Sequence, residues 1–206
     1  MTSADTMKSS NQQKAITGNK FQNNFFEKTY LLVHDVAQIK NNVSYNIMIR
    51  DIVKDTKSDV EIILHCNRKI RFIFELTTSI RDDRYLAKDA QAEGISKILE
   101  TKGQQCFYCL VMPDDDYYSG ENAEKERNNN AAFAEKINQR LITNTNHHFL
   151  HIMFREGEAL AFIDSLKDLT DFDVLNLVQE WRQKIKDNSI NKITCDLPEM
   201  EQLSFF

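Results

Sequence analysis

Asp59 and Glu75 are the residues whose type and spacing most suggest chemistry. Asp59 stands near the start of the strand-like run Ser58-Asp59-Val60-Glu61-Ile62-Ile63-Leu64. Glu75 stands near the end of the next, Ile70-Arg71-Phe72-Ile73-Phe74-Glu75-Leu76-Thr77. The polar turn Cys66-Asn67-Arg68-Lys69 joins them as in a hairpin. Folding one run back on the other brings the two carboxylates together. A carboxylate in an apolar run is costly to bury without a partner, and two side by side repel. A divalent cation relieves both problems. The pair therefore predicts a metal-dependent site. The plainer alternative is that Asp59 ends a turn and Glu75 pairs with Arg71, Arg81 or Arg84.

The elements needed to hold this pair can be traced along the chain. Residues 1–16 are polar and predict a flexible segment. Thr17 is a plausible N-cap for an amphipathic helix running to about Lys40 through Phe21, Phe25, Tyr30, Val33 and Ala37. An irregular strand is expected over 45–53, then the hairpin over 59–65 and 69–78. Residues 82–102 have a helical pattern that stops at Gly103. Residues 106–112 form a buried strand halted by Pro113, 121–142 a helix, and 147–154 a strand. The apolar run 159–163 precedes a last helix over 169–185. The order helix, strand, strand, helix, strand, helix, strand, helix predicts an α/β fold with a central mixed β-sheet flanked by helices. Residues 17–186 are expected to form one domain, and 187–206 a C-terminal tail.

Bulk composition narrows the function classes. The 206 residues carry 26 Lys plus Arg against 31 Asp plus Glu, a formal charge of −5. A chain that coats nucleic acid non-specifically is normally basic, so any such contact here is local or metal-bridged. No apolar stretch reaches membrane-span length, and the first residues lack the apolar core of a secretory signal. Four cysteines without framework spacing fit a reducing cytoplasm.

Strand with Asp, strand with Glu, polar helix and then strand, all after a first helix, resembles the PD-(D/E)XK nuclease superfamily of restriction and repair endonucleases. The resemblance covers 17–112. Thr17-Gly18-Asn19-Lys20-Phe21 with Glu27 is similar to the first helix of restriction enzymes. Glu75-Leu76-Thr77-Thr78-Ser79 resembles a variant motif of some type IIS restriction subunits, and Ala92-Glu93-Gly94 also resembles those enzymes. The resemblance implies a restriction-endonuclease-like fold and a Mg²⁺-dependent (or Mn²⁺-dependent) endonuclease acting on DNA. Asp59, Glu75 and the Leu76 carbonyl would be the metal ligands. The family's lysine, two residues past the glutamate, is here Thr77, which offers a hydroxyl but no charge. Lys88, on the following helix, is the best substitute, with Lys69 a weaker one. Arg84, Lys88 and Gln91 follow helical spacing and can face the site together. Thr77, Lys88 and Gln91 are thus expected to position water or phosphate. The alternatives are a non-catalytic binding subunit that keeps the fold and, through a histidine on the first helix, an RNA endonuclease of the cap-snatching sort.

Other groups have plainer readings beside functional ones. Glu27 and His34 share a helix face, as a charged stripe would. Glu61 faces the same way as Asp59 and is either a further ligand or a partner of Arg71 or Lys69. Cys106 and Cys109 look like half a zinc knuckle with His147, His148 and His151. Residues three apart on a strand point to opposite faces, however, so structural zinc is not expected. The final Gln202-Leu203-Ser204-Phe205-Phe206 resembles the bacterial sliding-clamp-binding peptide, with Phe205 in a leucine position. Gln202, Leu203, Phe205 and Phe206 would enter an apolar groove, tethered by Asp196–Glu201; docking on the chain's own core is the other reading. Expected partners are DNA and a sliding clamp, a DNA-recognition subunit or a second copy, with no membrane.

Overall fold

Apolar strands alternating with helices leave few arrangements other than a sheet with helices over its faces. The computed structural model describes residues 3–49, 52–79, 82–143, 152–170, 173, 174 and 176. Its strands are β1 (Ala37–Ile49), β2 (Ile52–Leu64), β3 (Ile70–Leu76), β4 (Gln105–Met112) and β5 (Ile152–Arg155), side by side in chain order in one sheet. β1, β2 and β3 are antiparallel neighbours, whereas β3, β4 and β5 are parallel. The helices are α1 (Ser3–Val33), α2 (Asp82–Glu100), α3 (Ala123–Thr143) and α4 (Glu156–Ser165). Parallel neighbours need a crossover, and α2 and α3 supply the two. The fold class is α/β, a central mixed sheet flanked by helices.

The sheet buries both faces. Phe21 and Phe25 of α1 and Phe162 of α4 pack on one, against Val60, Phe72 and Phe74. Phe162 sits in a cage of rings, 5.4 Å from Phe154 and 5.8 Å from Phe72. Burying each such ring contributes about 2–3 kcal/mol. On the other face, Tyr85, Ala92, Ile95 and Leu99 of α2 cover Ile73, Tyr108 and Leu110. Residues β2 and β3 share with this second face include Glu61, Arg71 and Glu75. The α2 helix ends where expected, with Gly103 at φ 67° and the Gln104 amide donating to the Leu99 carbonyl.

Several expectations need correction. α1 begins at Ser3, so Thr17 lies inside it and not at its start, and it stops at Val33. Ala37 and Lys40 belong to β1, and the stretch 45–53 belongs to two strands. The run 159–163 lies in a helix, α4. The strand expected over 147–154 is the shorter β5, and 144–151 lie outside the described residues. So do the tail 187–206 and nearly all of the helix expected over 169–185.

The unforeseen feature is a change of face along β1. Ile39 packs with the α1 face, while Tyr45 and Ile47 pack with the α2 face. An even spacing along a regular strand would put all three on one side. Pairing with β2 skips Asn42 opposite Asp59, and Asn42 has φ 51°. A left-handed residue costs asparagine less than most. At this break the outer part of the β1–β2 ribbon turns over onto α2.

Candidate active site

The break in the ribbon is where the carboxylates meet. The β2–β3 ladder ends at Val60 with Phe74, and the same register one step further sets Asp59 against Glu75. Free of the ladder, the Asp59 carboxylate accepts from the Leu76 amide (2.7 Å) through one oxygen and from Gln22 of α1 (3.0 Å) through the other. Gln22 also donates to Asn42 (3.2 Å), tying α1 to the break.

Glu75 is only 3% exposed and is gripped from two elements. From α2, the Lys88 ammonium pairs with Oε1, and the Gln91 amide lies 3.5 Å from Oε2. From β4, the buried Tyr108 hydroxyl donates to Oε2 at 3.1 Å. Gln91 also donates to the Lys57 carbonyl (3.0 Å), fixing α2 to β2 just before Asp59. Gly94, one turn further along α2, makes this closeness possible. A Cβ there would lie 2.7 Å from Cβ of Ile47, so a side chain would lever α2 off the ribbon. Glycine inside a helix costs about 1 kcal/mol relative to alanine, a cost that contact offsets.

Burial sets the electrostatics of this pocket. It raises the Asp59 carboxyl above the usual range, against the opposing pull of the Leu76 amide and the Lys88 charge. It also lowers the Lys88 ammonium, which Asp59 pulls up and Lys54 pushes further down. For both groups desolvation outweighs their mutual attraction. The Tyr108 hydroxyl is pushed well above its ordinary value, first by burial and then by Asp59, so it stays a donor.

The structure thus brings Asp59, Glu75, Lys88 and Gln91 together, and leaves the side chain of Thr77 out. The Thr77 hydroxyl donates to the Ser79 carbonyl (2.7 Å) and its amide to Val111 (3.0 Å). Arg84 also turns to Ser79, 3.1 Å from the carbonyl. Lys69 is exposed at the far end of the hairpin, and Glu27 and His34 are exposed on or just beyond α1. Glu61 belongs to a separate cluster of Tyr45, Ser58 and Arg71. Cys106 and Cys109 go to opposite faces of β4, as strand geometry requires. Gln202, Leu203, Phe205 and Phe206 lie outside the described residues.

Two members, Tyr108 and Gln22, were not anticipated. Tyr108 had a signal, since a tyrosine inside an otherwise apolar strand needs a partner for its hydroxyl. Gln22 had none, because its partners lie 20 and 37 residues away.

No protein-family model and no curated protein matches the sequence. Among solved structures, the chain is similar to protein VC1899 from Vibrio cholerae, with 16% identity and a TM-score of 0.39, covering 80% of this chain and 33% of that one. It is also similar to the small subunit (R.BspD6I2) of the heterodimeric restriction endonuclease R.BspD6I, with 10% identity and a TM-score of 0.47, covering 87% and 90%. The chain therefore spans about a third of VC1899 and most of the small subunit.

The donor set is compatible with a hard cation. Asp59, Glu75 and the Leu76 carbonyl offer oxygen alone, which suits Mg²⁺ or Mn²⁺. No group of three or more His, Cys, Asp or Glu assembles among the described residues. A cation held by two carboxylates keeps most of its shell as water, the habit of Mg²⁺.

Proposed function

We propose that this chain is a metal-dependent endonuclease that hydrolyses phosphodiester bonds in DNA, with Asp59 and Glu75 holding Mg²⁺ or Mn²⁺. The observation that carries the reading is the opening of the β2–β3 ladder at Asp59 and Glu75, with Lys88 of α2 reaching into the same opening. A paired ladder would use up the backbone there; this one stops where a second carboxylate and a cation converge. A bound divalent ion would lower the pKa of a coordinated water and neutralise charge on the scissile phosphate.

The chain's own groups have separable roles in this reading. The Leu76 amide and Gln22 orient Asp59, and Tyr108 and Gln91 orient Glu75. Lys88 neutralises Glu75 before cation and substrate arrive, then turns its ammonium to a phosphate oxygen. Burial lowers its affinity for the proton, so its ammonium gives one up more readily where charge develops on a phosphate oxygen. Thr77 would act through its backbone. The acidic balance of the chain favours delivery to DNA by a partner: a recognition subunit, a second copy, or a sliding clamp engaged by Gln202, Leu203, Phe205 and Phe206.

The test is cleavage of supercoiled plasmid with Mg²⁺ or Mn²⁺, with EDTA and Glu75→Ala as controls. Nicking or linearisation abolished by both controls supports the reading; cleavage that survives Glu75→Ala refutes it.

One observation favours a second reading, a non-catalytic binding subunit. Lys88 already neutralises Glu75 from within the chain, and no lysine stands at Thr77. That reading expects no divalent-ion binding, and nucleic-acid or protein affinity that survives Lys88→Ala.

A further inference from the structure

The β1–β2 ribbon continues well past the sheet. β3 pairs with β2 only over Val60–Ile62, so residues 43–49 and 52–58 project beyond β3 as a two-stranded arm. Its root is braced on α2, where Tyr45 and Ile47 are buried and Gly94 admits Ile47. Its tip is bare. Met48, Ile52 and Val53 are 67%, 69% and 65% exposed, and Met48 and Val53 form a cross-strand pair. Large apolar groups at the end of a projecting ribbon usually mark a contact surface.

Charge and placement indicate what the arm contacts. Lys54 pairs across the ladder with Ile47, so it shares the side of the ribbon that faces α2. No carboxylate among the described residues pairs with Lys54. Lys54 is exposed on that side, so its ammonium is open to a backbone phosphate. Asp55, the arm's acid among the described residues, pairs with Asn46 on the side that Met48 and Val53 share, further from the tip, while Ile52 is on the side of Lys54. The arm is also continuous with the opening, since Gln91 bonds the Lys57 carbonyl two residues before Asp59.

We propose that the β1–β2 arm is the surface that holds duplex DNA against the carboxylate opening, with Lys54 on a backbone phosphate and Met48, Ile52 and Val53 in the groove. A two-stranded ribbon fits the major groove, and apolar side chains at its tip meet base edges and thymine methyls. The inference rests on the nuclease reading for its choice of ligand, but binding and cleavage are measured separately.

The test is fluorescence anisotropy of a labelled mixed-sequence duplex of about two helical turns, titrated with the full chain in Ca²⁺ over a range of salt. Lys54→Ala should weaken binding about fivefold or more at low salt and reduce the slope of log affinity against log salt by about one. Met48→Ser with Val53→Ser should weaken binding and leave the slope unchanged. All three positions are exposed, so an unshifted thermal midpoint will show that the variants fold. Unchanged affinity and slope in Lys54→Ala overturns the arm, and so does a wild-type chain that binds no duplex at low salt. Tip variants that change the sedimentation of the chain alone, without affecting DNA, also overturn it and make the tip a self-association surface. If the wild type binds through Lys54 but cuts no plasmid, the arm stands and the hydrolytic reading fails. If it cuts plasmid with Lys54 irrelevant, the reverse holds.

Discussion

Glu61 and Glu75 lie on neighbouring strands, on the same face of the sheet, and are both almost wholly buried, yet their surroundings differ in kind. Glu61 is 0% exposed and enclosed by the Tyr45 hydroxyl at 2.5 Å, the Ser58 hydroxyl at 2.7 Å and Arg71 at 3.3 Å. Arg71 is itself held by Gln104 (3.0 Å). Burial and Glu61 together push the Tyr45 hydroxyl far above its ordinary value, so it is a permanent donor. The nearby Cys106 thiol is also pushed up, to about 12, chiefly by burial. This cluster is closed, with two hydroxyl donors and an arginine that is itself tied down. Glu75 has Asp59 beside it and a partner, Lys88, that keeps 29% of its side chain in solvent. One carboxylate is built to stay as it is. The other has a partner that solvent reaches.

Substitutions should break that contrast in order of size. Glu75→Ala should abolish cleavage, a loss of about a thousandfold or more, because it removes a proposed metal ligand together with its charge. Plasmid assays on folded variant decide it, and Tyr45→Phe in the Glu61 cluster should leave the rate per folded molecule within about twofold, since it touches no reacting group.

Arg71→Ala and Lys88→Ala each leave a buried carboxylate unpaired, and each should cost about 3 kcal/mol in EDTA. Chemical denaturation with and without Mn²⁺ separates them. Mn²⁺ should restore most of the loss in Lys88→Ala, because the cation replaces the ammonium, and none of it in Arg71→Ala. Equal restoration, or none in either, would erase the distinction.

Asp59→Asn should give a smaller effect of opposite sign. Burial raises the folded-state pKa of Asp59, so its contribution to stability is fully present below its unfolded pKa and is lost as pH rises through the folded one. The asparagine has no such loss. The variant should therefore melt a few degrees above wild type at neutral pH in EDTA, and the gap should close as pH falls through the ordinary carboxylate range. Thermal melts across that range measure it; a gap that widens on acidification would contradict the burial argument.

Tyr108→Phe is the mildest change. Removing one neutral donor from Glu75 should cost about 1 kcal/mol and lower activity less than Lys88→Ala does.

Much of this was legible in the sequence because it is local. The hairpin holding Asp59 and Glu75, the helix carrying Lys88 and Gln91, and its stop at Gly103 all follow from short-range pattern. β1 was legible only in its second half: the stretch from Tyr45 is expected as strand, whereas Ala37 and Lys40 are drawn into the helical pattern of α1. The amphipathic pattern of α1 obscured its start. The change of face at Asn42 was not legible, because Ile39, Val43, Tyr45 and Ile47 keep an even spacing across it and only packing on two different helices reveals it. α4 is a single short helix whose apolar run fits strand or helix equally well. Gln22 reaches the opening from α1, a packing contact that no local pattern encodes.

The central claim is that the opening at Asp59 and Glu75 takes a divalent cation and the Glu61 cluster does not. Calorimetric titration with Mn²⁺ tests it most directly, on wild type, Asp59→Ala, Glu75→Ala and Tyr45→Phe. Binding is expected in wild type and Tyr45→Phe and should disappear in Asp59→Ala and Glu75→Ala. A wild-type chain that takes up no Mn²⁺, or binding that survives Glu75→Ala, would contradict it.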